Sequence, residues 1–358
     1  MRSTSCNFNI LSVFRADANK AQSTRGSHAR ASSHVDAAVA MCAASIALRS
    51  LMRAPVVAHN AHAHARTLAR HVTHAARAMS TASASVTSHT HASLIQGASR
   101  GIGLELTRQL LERDDKLFSG RAAGGVVIAT CRDPENAVEL NALRAAHGDR
   151  LRVLRVDVTD LTSIEAAAKV VENDIGRLDF LANVSAVLTG PNGMRPETSI
   201  LRTEAEHMML AYQTNAVGPT MMMRYCAPLM LKTATANANE GGNGGVPVIA
   251  NWSARVSSIG DNALGGWHSY RASKTALNQL TRNAAIEFAR KKQPIIAMCV
   301  HPGTVDTKLS EPFKKNVPAD KLFTTEYAAR KLLEVIGAAT MEKSSGNLFD
   351  YAGEQISW

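Results

Sequence analysis

Tyr270 and Lys274 lie four residues apart in the run Ser-Tyr-Arg-Ala-Ser-Lys. On a helix, positions four apart share one face. An ammonium beside a phenol favours the ionised phenol, so such a pair is suited to moving a proton near neutral pH. About 170 residues upstream runs Gln-Gly-Ala-Ser-Arg-Gly-Ile-Gly, Gln96 to Gly103. Gly97, Gly101 and Gly103 let the backbone turn tightly and approach a pyrophosphate, whose charge the N-terminus of a following helix favours. A glycine-rich turn alone is weak evidence, because tight turns need glycine for structural reasons. Beside a proton-transfer pair it points to hydride chemistry on a bound dinucleotide.

These residues need a scaffold, and the hydropathy pattern predicts one. Short apolar runs predict strands at Ser93–Ile95, 126–129, 151–156, 178–184, 246–250, 295–300 and 347–351. Helical spacing covers 102–113, 135–146, 161–175 with Gly176 as its stop, 203–231 with a break at Gly218-Pro219, and 268–291. Apolar strands alternating with helices imply a parallel sheet covered on both faces. The expectation is an α/β chain with a single doubly wound domain over 89–358 and a mostly parallel, seven-stranded sheet. The low-complexity stretch from Ala234 to Gly245 is expected to be a solvated loop.

The spacing Gly-x-x-x-Gly-x-Gly with Tyr-x-x-x-Lys resembles the short-chain dehydrogenase/reductase family, and the resemblance runs over about residues 92–358. Further landmarks fall in order: Asp157-Val158-Thr159, Asn215, and Pro302-Gly303-Thr304-Val305-Asp306-Thr307. The run from Ser253 to Lys274 is similar to the branch around sniffer-type carbonyl reductases and the bacterial C-factor signalling protein. The resemblance implies a Rossmann fold and a nicotinamide cofactor contacted by Gly97, Ser99, Arg100, Gly101, Ile102, Gly103, Arg132, Asp157, Val158, Asn183, Tyr270, Lys274, Pro302, Gly303, Val305 and Thr307. It implies Tyr270 as general acid or base, Lys274 lowering its pKa and bonding the nicotinamide ribose, and Asn215 kinking a helix and holding a water in the proton relay. Two departures stand out. The usual Ser-Ser after the fifth strand reads Ser253-Ala254; Ser253 is the expected carbonyl-polarising serine, with Ser257 as the alternative. The usual Asn-Asn-Ala-Gly reads Asn183-Val184-Ser185-Ala186, which loses a glycine's freedom.

Charge decides the expected cofactor. An NAD site wants a carboxylate at the tip of the second strand, an NADP site arginines for the extra phosphate. Here the strand ends Ala129-Thr130-Cys131-Arg132, and Arg100 lies in the glycine turn, so NADP(H) is expected over NAD. Asp133, before Pro134, reads as a turn residue. The expected activity is hydride transfer between nicotinamide and a small carbonyl or alcohol. The alternative is a catalytically weak relative that binds the nucleotide in a regulatory role. A Rossmann methyltransferase would have no use for Tyr270 and Lys274. Trp252, Trp267 and Phe313 are candidates for an apolar pocket. A homodimer or homotetramer is expected from the family.

Residues 1–88 carry +8 of the formal net charge of +10 and hold only two acids, Asp17 and Asp36. The remainder is nearly neutral, so the charge gives no support for nucleic-acid binding. An Arg-, Ala- and Ser-rich, acid-poor leader has the composition of a transit peptide. A mitochondrial address is expected, with Arg77-Ala78-Met79-Ser80 resembling a cleavage site; a chloroplast address stays open, as does a cytoplasmic chain if the leader is not translated. Ala37 to Leu48 is too short for a membrane span, which needs ~20 apolar residues. Five scattered cysteines with no Cys-x-x-Cys predict neither a disulfide framework nor a zinc site.

Overall fold

Strands covered on both faces read as unbroken apolar runs. β1 (Ala92–Gln96), β2 (Val126–Cys131), β4 (Phe180–Asn183) and β5 (Val248–Trp252) are buried along their whole length. They form the centre of an eight-stranded sheet completed by β3 (Leu151–Arg155), β6 (Ile296–His301), β9 (Leu348–Asp350) and β10 (Gln355–Ile356). The order is β3-β2-β1-β4-β5-β6-β9-β10. Every pair is parallel except β9 with β10. The sheet therefore has one strand more than the seven expected. The extra strand, β10, is two residues long, too short to leave a period in the sequence.

This architecture comes from a computed structural model, which describes residues 90–113, 125–239 and 245–358. The leader expected over 1–88, with its targeting and cleavage features, lies outside the described residues.

Seven helices cover the sheet among the described residues: α1 (Gly101–Glu112), α2 (Val138–His147), α3 (Leu161–Val170), α4 (Ala205–Tyr212), α5 (Gly218–Asn239), α6 (His268–Arg290) and α7 (Thr325–Gly337). Successive strand side chains point to opposite faces. Accordingly Ile95 packs with Leu106, Leu140 and Leu332 of α1, α2 and α7. Its neighbour Leu94 packs with Ile164, Met230 and Ala285 of α3, α5 and α6. None of these helices is long and apolar enough to cross a membrane.

Three expectations are corrected. The helix expected over 203–231 is divided by a π-helical turn, Gln213–Val217, between α4 and α5. α5 runs to Asn239, so the first six residues of the loop expected from Ala234 are helical. α7 was not expected, and neither was the small parallel pair β7 (Thr304–Val305) with β8 (Leu322–Phe323).

From β1 the chain winds outward through β2 and β3, then returns to build β4, β5 and β6 on the other side. The reversal between β1 and β4 is a topological switch point. In open α/β sheets, ligands bind in the crevice beyond the strand C-termini at such a point. The glycine turn follows β1 there, and the Tyr-Lys helix, α6, follows β5.

Candidate active site

The glycine turn is held by β2. The Gly97 and Ala98 amides donate to the Thr130 carbonyl at 3.0 and 2.9 Å. Gly97 has φ +90°, and a Cβ there would sit 2.8 Å from the Ser185 amide nitrogen. A Cβ on Gly103 would lie 2.2 Å from the Gly97 carbonyl oxygen, so no side chain fits. Gly101, at φ +57°, faces Thr307, whose Cγ2 would lie 3.4 Å from an added Cβ. The structure thus brings the predicted Pro302–Thr307 stretch against the glycine turn. Ser99 and Ile102 are half-buried in the turn, and Arg100 is exposed at the N-cap of α1. No side chain caps that helix and no acid occupies its first turn. Its N-terminal amides and dipole, at the end of the glycine turn, suit an anion. The turn fits a dinucleotide pyrophosphate.

The Ser185 departure is absorbed locally. Its hydroxyl donates to Gln96 Oε1 at 2.9 Å and its amide to the same oxygen at 3.3 Å. These bonds tie the end of β4 to the end of β1. Asn183, expected at the cofactor, is fully buried; it donates to Asn251 Oδ1 at 2.8 Å, and its own Oδ1 has no partner. Arg132 is exposed just beyond β2. Asp133 accepts from the Asn136 side chain and amide at 2.8 and 3.3 Å, a turn residue as read. Asp157 Oδ1 accepts from the Thr159 hydroxyl and amide at 2.7 and 2.9 Å. Burial works against its ionisation, but those bonds and the charges of Arg132 and Arg155 outweigh it and hold the carboxyl below its ordinary range. Val158 is buried against Gly218 at the start of α5.

Tyr270 and Lys274 share the inner face of α6, with the lysine nitrogen 5.9 Å from the centre of the tyrosine ring. Lys274 is 1 % exposed and donates to the Trp252 carbonyl at 2.6 Å. Burial lowers the Lys274 ammonium to about 8. Burial also pushes the Tyr270 phenol well above its ordinary value. The expected lowering of the phenol by the lysine is therefore absent from the chain alone. The ring is enclosed by apolar groups, and the cation is spent partly on a strand carbonyl and is itself destabilised by the same burial.

Asn215 sits inside the π-helical turn. Its side chain accepts from the Val187 amide at 2.8 Å and donates to the Val187 carbonyl at 2.9 Å and to Ser273 Oγ at 3.0 Å. It pins the loop after β4 to α6, one turn beyond Tyr270. Ser273 was not foreseen in the sequence. The i+3 spacing from Tyr270 places it correctly, but only the π-turn reveals its partner.

Both candidate serines are tied to Asn278. Ser253 donates to Asn278 Oδ1 at 2.6 Å, and Ser257 donates to the Ala254 carbonyl at 2.6 Å and accepts from Asn278 Nδ2 at 2.7 Å. Asn278 is two turns beyond Tyr270 on α6, roughly 12 Å along the axis. Ala254 and Leu188 form one buried apolar cluster with Tyr270. Val256, Trp267, Leu309 and Phe313 close the same apolar cluster. Trp267 meets Tyr270 edge-on at 6.2 Å and Phe313 at 5.0 Å. Trp252 belongs instead to the main core between the sheet and α1, α2 and α7. Gly303, φ +76°, leaves no room for a Cβ against Phe323, and Val305 is buried in β7; Pro302 and Thr307 are half-buried beside them.

A doubly wound sheet, a glycine turn at its switch point and a buried Tyr-Lys pair define a nicotinamide-dependent oxidoreductase. The short chain dehydrogenase family profile matches residues 91–318, and the chain belongs to that family. It is 29 % identical over 267 residues to 1-hydroxy-2-glutathionyl-2-methyl-3-butene dehydrogenase of Rhodococcus sp., covering 74 % of this chain and 98 % of that one. It is 26 % identical over 253 residues to the benzil reductase ((S)-benzoin forming) of Saccharomyces cerevisiae, covering 67 % and 84 %. Among solved structures, an NADPH-bound carbonyl reductase from chicken fatty liver is 28 % identical, with a TM-score of 0.64 over 76 % of this chain and all (100 %) of that one. The carbonyl reductase Sniffer of D. melanogaster is 25 % identical, with a TM-score of 0.64 over 75 % and 100 %.

Proposed function

We propose that this chain is an NADP(H)-dependent reductase of small apolar carbonyl compounds, with Tyr270 as the proton donor. The observation that carries the reading is a buried phenol in a partly aromatic cluster, on one helix face with a buried lysine, in a fold whose β1 runs into the glycine turn. When bound, the reduced nicotinamide supplies hydride to the carbonyl carbon. The chain's own residues do the rest. Raised by burial, the phenol keeps its proton at neutral pH and can donate it to the carbonyl oxygen. Lys274 acts once that proton has left, because its ammonium stabilises the phenolate through a low-dielectric space. The alcohol-oxidising direction runs the same transfer backwards.

Gly97 to Gly103 and the α1 N-terminus would cradle the pyrophosphate. Asp157 and Val158 would flank the adenine, and Pro302 to Thr307 the nicotinamide. Arg100 and Arg132, both exposed at adjoining loop tips, would pair with a ribose phosphate, while the Asp133 carboxylate is hydrogen-bonded to Asn136. Asn215 fixes the loop at Val187 relative to Tyr270. Ser253 and Ser257, bonded to Asn278, support the turn rather than the substrate. The NADPH-bound carbonyl reductase and the benzil reductase among the relatives support the cofactor and the carbonyl class.

A panel of carbonyls assayed by NADPH and NADH oxidation tests this. Turnover with an NADPH preference of about 10-fold or more is expected, since a charge-assisted bond contributes ~1.5–3 kcal/mol. Ala254 beside the phenol favours the second reading, a nucleotide-binding regulator. Tight NADPH binding with no turnover across the panel would establish that reading instead.

A further inference from the structure

Ala254, just after β5, shares the buried apolar cluster of Tyr270. A carbonyl oxygen that accepts the Tyr270 proton develops negative charge before the proton arrives. A second hydrogen-bond donor aimed at that oxygen lowers the barrier, and removing one such donor slows turnover by about 100- to 1,000-fold. Ala254 contributes a methyl to that cluster, while the hydroxyls of Ser253 and Ser257 on either side are bonded to Asn278 and to the Ala254 carbonyl. All three partners are buried: Ser253 is 4 %, Ser257 1 % and Asn278 3 % exposed. A serine leaving this cluster would strand the buried Asn278 amide without its bonds, which opposes such a swing. Of the other apolar groups in this cluster, Leu188, Val256, Leu309 and Phe313 have no polar side-chain atom, and Trp267 has its indole N–H alone.

We propose that Ala254 is a specificity-determining residue that restricts this site to carbonyls already activated by an electron-withdrawing neighbour, above all apolar aromatic 1,2-dicarbonyls. The proposal rests on the reductase reading and names its substrate class. In an isolated ketone the developing oxyanion depends on donors from the protein. In a 1,2-dicarbonyl the adjacent carbonyl makes the carbon electron-poor, so the reaction tolerates the loss of a serine donor beside Tyr270. One C=O π bond is lost as the carbon gains hydride from NADPH and the oxygen gains the Tyr270 proton, leaving a hydroxy-ketone and NADP+. Trp267 and Phe313, with ring centres 5.0 Å apart in the Tyr270 cluster, provide aromatic surface for the substituent.

The test uses the full chain with NADPH, benzil and acetophenone. Ala254→Ser should raise acetophenone turnover by about 100-fold and benzil turnover by less than about 10-fold. In the same variant, the infrared carbonyl stretch of bound acetophenone should move to lower frequency, a sign of the new hydrogen bond. Equal gains on both ketones, or no gain and no infrared shift, would overturn the proposal. Ser253→Ala provides a second arm: an unchanged carbonyl stretch is expected, and a shift to higher frequency would show that Ser253 is the donor and end the case for Ala254. Tyr270→Phe, run alongside, should abolish reduction of both ketones. If it did not, the reductase reading itself would fall, an outcome distinct from equal gains in Ala254→Ser.

Discussion

At the scale of single residues, burial sets the electrostatics. Lys274 titrates near pH 8 in the chain without nucleotide, against 10.5 for a solvated lysine. Below pH 8 both folded and unfolded states carry the proton, and the folded state bears the full penalty of a buried ammonium. From pH 8 towards 10.5 the folded lysine gives up its proton while the unfolded one keeps it. Stability contributed by this residue therefore rises across that window. Denaturant melts of wild type and Lys274→Met should show the wild type gaining on the variant by up to about 3 kcal/mol between those limits. Taking the difference cancels the opposing contribution of Cys226, whose thiol burial pushes up to about 12; Cys299, which feels the Lys274 charge, is removed by making both measurements in a Cys299→Ala background. A flat difference would mean the ammonium is solvated or paired in the free chain. The Tyr-Lys pair and the glycine turn were legible in the sequence because their meaning is local: one helix turn, one tight loop. The serine was not. Which side chain of Ser253-Ala254 faces Tyr270 depends on how the turn after β5 leaves the sheet, and spacing does not encode that.

At the scale of elements, close backbone approaches hold the site together. Gly218 opens α5, and a Cβ there would lie 2.5 Å from the Val158 Cβ. Gly218→Ala should destabilise the chain by about 1–3 kcal/mol through overpacking. It should also weaken NADPH binding, because Val158 is expected beside the adenine; thermal melts with and without nucleotide read both effects. An unchanged melting temperature would show that α5 shifts freely. The N-terminus of α6 has a similar constraint. Trp267 takes a left-handed conformation, φ +52°, and its amide donates to the Glu197 carbonyl. The Glu197 carboxylate accepts from the Ser269 hydroxyl and amide. This buried cap sets where Tyr270 begins its helix turn, yet Glu197 precedes it by about 70 residues, so no local pattern announces it. The π-turn around Asn215 was half legible: Gly218-Pro219 marks an interruption, but not its form. α7 escapes prediction although Ala328, Leu332 and Ile336 repeat at helical spacing.

At the scale of the whole molecule, residues 1–88 hold +8 of the formal net charge of +10, and the rest of the chain is nearly neutral. We propose that residues 1–88 address the chain to an organelle, the mitochondrion first, and that 89–358 carry nucleotide binding and turnover as a homo-oligomer. A chain beginning at residue 89 should keep the NADPH affinity of the full chain and sediment at a multiple of its own mass. Residues 1–88 fused to a fluorescent protein should carry it into mitochondria. A truncated chain unable to bind nucleotide would contradict this division of labour. The fold itself was legible almost strand by strand, because parallel strands buried on both faces leave unbroken apolar runs.

The most direct measurement is stopped-flow NADPH oxidation with benzil by wild type and Tyr270→Phe, alongside a nucleotide titration of each. Loss of turnover by about 100- to 10,000-fold, with NADPH affinity within a factor of about three, is the predicted result. Retained turnover in the variant, or NADPH that fails to bind the wild type, would contradict a proton supplied by this phenol.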